Sequence, residues 1–115
     1  AYFGRITGTP VHGVHTSSGE ALAAAVQQRV AGSDVSIETC VQYLTHDIDS
    51  DIGAKGKVNP PLRAPQDREA LWAGIIAGQI DTIGTDHLHR PPSSKDESGL
   101  PRPAFRDWTR FCPRC

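Results

Sequence analysis

Three short β-compatible runs alternate with two segments that carry helix start and stop signals, and this order most limits what the chain can fold into. The first run, Val11 to Val14, follows Pro10 and ends at His15. Ser17 then reads as a helix N-cap with Glu20 three residues on, a capping box, and Leu22, Val26 and Val30 recur at a spacing of four. Gly32 stands where a left-handed residue closes a helix. The second run starts at Val35, where Val35 and Ile37 alternate with polar neighbours, and leads to Glu38, Thr39 and Cys40. Residues 41 to 63 read as a loop, too long to be idle in a compact domain. A second helix opens at Pro65, with Asp67 and Glu69 where the helix dipole favours acids. Leu71, Trp72, Ile75 and Ile76 form its apolar face, and Gly78 is its stop. The third run goes from Ile80 to Thr85-Asp86-His87.

Such alternation implies parallel strands joined by helical crossovers, an α/β architecture. Strands are expected near residues 10–15, 35–39 and 80–85, and helices near 17–31 and 65–77. In parallel α/β folds, ligands bind at the carboxyl ends of strands. Each run ends in polar chemistry: His15, then Glu38-Thr39, then Asp86-His87. These groups are therefore expected on one face.

Composition narrows the function classes. The 115 residues make one small domain, far short of the ~250 of a complete (β/α)8 barrel. Twelve Lys and Arg nearly balance 13 Asp and Glu, so neither nucleic acid nor a membrane surface is implied as a partner. No apolar run approaches the ~20 residues of a membrane helix. No charged start followed by an apolar stretch reads as a signal peptide, and Ala1 reads as a mid-sequence position. Three cysteines are too few, and odd in number, for a disulfide framework; they fit a reducing, cytoplasmic setting. Cys112 and Cys115 form a C-x2-C pair without a second pair to complete a zinc site.

Four motifs, taken in order, resemble the sixth- to eighth-strand region of the cyclic amidohydrolases: hydantoinases, dihydropyrimidinases, allantoinases and dihydroorotases. VHGVHTSS resembles the strand that ends in a metal-binding histidine. IETCVQYLTHD resembles the family's E-T-C-P-Q-Y-L stretch, with Val41 where Pro is usual. GKVNPPLR and DREALWAGIIAGQIDTIGTDH resemble its N-P-P-L-R segment and the helix and final strand that follow. The resemblance covers roughly residues 5 to 96.

This resemblance implies a fragment of a (β/α)8 metal-dependent hydrolase barrel over residues 1–96. His15 matches a ligand to one of two metal ions, usually zinc. Asp86 matches a metal ligand that also acts as general base. Asn59 matches a position whose backbone binds the cyclic amide, and His87 lies beside the aspartate at the substrate. The implied partner is a small cyclic amide, and the parent protein is implied to be a homo-oligomer. Such chemistry needs these residue types, because a cyclic amide is a poor electrophile and water a poor nucleophile. Imidazole and carboxylate suit first-row metals, and a carboxylate beside the attacking water can move its proton.

Each residue also has a plainer role open to it. His15 alone is an ordinary strand-end histidine, Asp86 a helix cap and Asn59 a turn former before proline. His12 reads as a non-ligand, His46 as a solvated loop residue, and Trp72 as helix packing. The family's full site further needs an H-x-H on the first strand, a carboxylated lysine on the fourth and a histidine on the fifth. None lies in this sequence, and His87-Leu88-His89 follows the last strand rather than the first. The chain alone is therefore expected to be inactive. Two other classes stay open: a non-catalytic amidohydrolase-like assembly protein, and a small zinc-binding module on Cys112 and Cys115.

Residues 97–115 form an irregular tail where the resemblance stops. Codons permitted for ESGLPRPAFRDWTRFCPRC, read from the third base of each preceding codon, include Ile-Trp-Thr-Ala-Ser-Pro-Gly and Leu-Leu-Pro-Ala-Leu. That translation resembles the family's continuation, so the tail is expected to be frame-shifted.

Overall fold

A computed structural model of the chain describes residues 1–87. Cys112, Cys115, Trp108, His89 and the tail 97–115 lie outside the described residues. Among the described residues, three parallel strands, β1 (Val11–Gly13), β2 (Val35–Cys40) and β3 (Thr82–Gly84), form one sheet in the order β1-β2-β3, accompanied by four α-helices, α1 (Tyr2–Thr7), α2 (Gly19–Val30), α3 (Val41–Thr45) and α4 (Pro65–Ile76). Parallel pairing and both long helices thus agree with the sequence. The strands at both ends are shorter than expected. The loop between β2 and α4 contains α3 and a 3-10 turn at Gly53–Gly56.

The central strand is paired on both sides, in two halves. Val11, His12 and Gly13 pair with Val35, Ser36 and Ile37, whereas Thr82, Ile83 and Gly84 pair with Glu38, Thr39 and Cys40. The flanking strands are thus staggered along β2, as strands of a closed barrel must be. Val35 and Ile37 point to one face and are buried with Leu22 of α2 and Leu71 of α4. Ser36 and Glu38 alternate to the other face.

Local chemistry sets the helix ends. Ser18, not Ser17, is the N-cap of α2; its side chain accepts from the Ala21 amide. Glu20 then falls in the first turn, so the expected capping box is absent. Asp67 adds a second cap from outside, accepting from the Gly19 amide at 2.9 Å. This bond ties the start of α4 to the start of α2. The helices cross closely where Gly74 stands, since a Cβ there would lie 2.5 Å from a Leu22 methyl. At the far end of α2, Arg29 donates to the carbonyls of Val35 and Gln79 and pairs with Asp81. Asp81 also accepts from the Ile37 amide at 2.7 Å. That bond, followed by Arg29, holds its carboxyl below the ordinary carboxylate range.

The apolar stripes are narrower than the sequence suggested. Leu22 and Leu71 are buried, but Val30 and Ile76 are 84% and 85% exposed. Trp72 is half-exposed and donates its indole N–H to the Leu44 carbonyl at 2.9 Å, so it ties α4 to α3 rather than filling the core. Among the described residues, no helix is long and apolar enough to cross a membrane.

Leu71→Ala empties a fully buried position and is expected to cost about 2–5 kcal/mol. Ile76→Ala, on the exposed side of the same helix, should stay within about 0.5 kcal/mol. Urea unfolding of the two variants separates them; equal losses would contradict this placement of the core.

Candidate active site

The carboxyl ends of the three strands carry the residues singled out by sequence. His15 lies two residues past β1 and Asp86 two residues past β3. Both leave their strands in left-handed backbone geometry, with φ of 42° and 47°. Asp and His tolerate that region better than most side chains, though at a cost of order 1–3 kcal/mol. The turn after β1 is fastened to the central strand: the Thr16 amide donates to the Glu38 carbonyl, and the Thr39 hydroxyl donates to the Thr16 carbonyl at 2.7 Å. Past β3, the His87 amide donates to the Thr85 hydroxyl.

Asn59 reaches this end of the sheet by a different route. It is exposed in the loop before α4, and its bond to Pro60 is cis. The loop's neck is closed by the Ile48 amide donating to the Arg63 carbonyl and by Arg68 pairing with Asp47, whose carboxylate is buried. Three residues inside the neck, the buried Tyr43 hydroxyl donates to the Pro60 carbonyl at 2.8 Å. Burial first, then the neighbouring Cys40 and Asp86, pushes the Tyr43 phenol up to about 12. The Cys40 thiol is likewise pushed up, by burial and then by Glu38 and Asp86. The Asp86 carboxylate therefore acts electrostatically on the same group that holds Pro60.

Below these turns, the sheet face away from the helices carries a polar cluster. His12 bonds the Ser36 hydroxyl at 2.7 Å and faces the Glu38 carboxylate at 3.4 Å. The Thr82 hydroxyl donates to the same carboxylate oxygen. Gly84 leaves room for it, since a Cβ there would sit 2.7 Å from a Glu38 oxygen. His46 caps α3 and bonds the Thr45 hydroxyl, half-buried rather than freely solvated.

Tyr43 is the residue whose position the sequence left unassigned, because it falls in the segment read as loop and follows Cys40 by three residues, which does not separate a site residue from a packed one. Glu38 was expected at a strand end beside His15 and Asp86; it lies two residues before the end of β2, within the polar cluster.

No protein-family model matches the chain. It is 46% identical over 95 residues to the allantoinase of Deinococcus radiodurans, covering 81% of this chain and 21% of the relative. With the Solibacter usitatus allantoinase it shares 42% over 97 residues, 83% of this chain and 21% of that one. Its structure superposes on the D-hydantoinase of Bacillus sp. AR9 with a TM-score of 0.70 at 33% identity, covering 77% of this chain and 20% of that one. The dihydropyrimidinase of Brevibacillus agri gives 0.73 at 30% identity, over 80% and 21% of the two chains. Sheet, crossovers and these likenesses define a segment of a TIM-barrel hydrolase fold. The chain belongs to the cyclic amidohydrolase family, and it spans about a fifth of the length of the relatives it matches.

Among the described residues, no group of three His, Cys, Asp or Glu side chains is arranged to hold a metal ion. Protein-bound zinc usually takes three or four side-chain ligands, so His15 and Asp86 do not make a metal centre by themselves.

Tyr43 makes the segment sensitive to alkali. An ordinary phenol ionises near pH ~10. The folded state keeps its proton up to about 12. The unfolded chain therefore binds fewer protons between these values, and stability falls as pH rises through that window. The decline should be smaller in Tyr43→Phe, as read by urea midpoints across the alkaline range; identical declines would contradict the assignment.

Proposed function

We propose that the chain is part of a hydrolase that opens a cyclic amide ring, a hydantoin, a dihydropyrimidine or a related ureide. The observation that carries this is the pair of left-handed turns at His15 and Asp86, at the carboxyl ends of parallel strands in a chain akin to allantoinases. Asp86 is the general base: it takes a proton from the attacking water and returns it to the ring nitrogen as the C–N bond breaks. The backbone at Asn59 receives the cyclic amide, with His87 beside it. A divalent metal, zinc by the donor types, would be held by His15 and Asp86 together with ligands from outside this chain, and supplies an activated water and a polarised carbonyl when bound. The 115 residues alone are inactive for that reason. The odd cysteine count supports a reducing, cytoplasmic location, and the parent is a homo-oligomer.

The tail from Glu97 is a frame-shifted segment of the same gene on this account. Resequencing the source DNA tests it directly; an intact frame shared by close relatives carrying the same tail contradicts it.

A chimera tests the function. Residues 1–96 replace their counterpart in the Deinococcus radiodurans allantoinase, and ring opening of allantoin, hydantoin and dihydrouracil is followed. Activity is expected on at least one of them, and His15→Ala or Asp86→Asn should each reduce it by at least about a hundredfold. A folded chimera without activity, or full activity in either variant, overturns the proposal.

A further inference from the structure

We infer, on the basis of the ring-opening site proposed above, that Tyr43 is a positioning residue: its hydroxyl holds the backbone around Asn59 at the strand ends, where the cyclic amide is received. The loop from Ile48 to Arg63 is closed at its neck by the Ile48–Arg63 backbone bond, and Arg68 with Asp47 braces that neck from α4. Those ties fix where the loop begins and ends, not the course of its returning limb. Tyr43 supplies the tie on that limb, donating at 2.8 Å to the Pro60 carbonyl, three residues before Arg63 and one beyond Asn59. Its ring is well placed to act as a fixed post. It is 2% exposed, belongs to the same core cluster as Leu44 and Leu62, and stands in the short helix that directly follows β2. Few rotatable bonds separate that post from the sheet, so little conformational entropy is lost in keeping the geometry. Asn59 itself is exposed, free to meet a ligand while its neighbour is held. The phenol also remains a donor far above neutral pH.

Packing alone would not need the hydroxyl, because phenylalanine fills the same space. Tyr43→Phe in the chimera therefore separates the two roles. The expected result is a KM for the cyclic amide raised about tenfold, from a lost hydrogen bond and a returning limb free to move, with kcat within about twofold. Hydrogen exchange should quicken about tenfold at the Ile48 amide, whose acceptor is the Arg63 carbonyl on the limb that Tyr43 ties, and stay unchanged at Ile37 and Leu71. Unchanged exchange at the loop overturns the tie. Faster exchange there with an unchanged KM overturns the role in substrate positioning, and faster exchange throughout assigns Tyr43 to general stability. An unsubstituted chimera that folds but opens no ring refutes the ring-opening site, and with it the substrate role, while exchange still tests the tie itself.

Discussion

The pairing of β2 on both edges is the constraint on which the rest of this segment depends. One strand of six residues gives its first half to β1 and its second half to β3. The two outer strands then end at different heights along it, and the turns that carry His15 and Asp86 inherit that offset. A slip of β2 by one residue against its two neighbours would move Ile37, now fully buried, to the polar face. It would also carry Glu38 away from His12 and Thr82. Core and polar cluster therefore hold the same register from opposite faces of the sheet.

The two ends of the sheet serve different purposes. At the amino end, Arg29 and Asp81 join α2, β2 and the entry to β3 through backbone and side-chain bonds. This end is structural. At the carboxyl end, polar groups are tied to backbone one at a time: Thr39 to Thr16, Tyr43 to Pro60. Each tie fixes one turn or loop segment to the end of β2 or the helix that follows it. Left-handed geometry at two non-glycine residues there is local strain held by the surrounding structure, a pattern concentrated where chemistry is done.

Much of the fold was legible in the sequence, because its signals were local and agreed with one another. Pro65 opening α4, the four-residue stripe of α2 and the alternation around Ile37 each specify an element from a few neighbours. The misses have physical reasons. Ser18 rather than Ser17 caps α2, and two adjacent serines cannot be ranked without knowing which one reaches the Ala21 amide. Helix α1 precedes the first strand and buries no residue of its own; its apolar Tyr2, Phe3 and Ile6 span less than two turns, too few to establish a helical period. Trp72 and Ile76 looked like core by spacing, yet only Leu71 and Gly74 of that helix are buried. The candidate site was readable as residue types at strand ends. The Tyr43–Pro60 bond was not, because it spans 17 residues and joins a core aromatic to a loop carbonyl.

On the proposed function, His15 and Asp86 belong to one hydrolytic centre that needs more of the barrel than this chain contains. The most direct measurement is a crystal structure of the chimera grown with zinc, with anomalous scattering recorded at the zinc edge. The account predicts anomalous peaks within coordination distance of both the His15 imidazole and the Asp86 carboxylate. Zinc bound by the chimera with neither side chain among its ligands would contradict it.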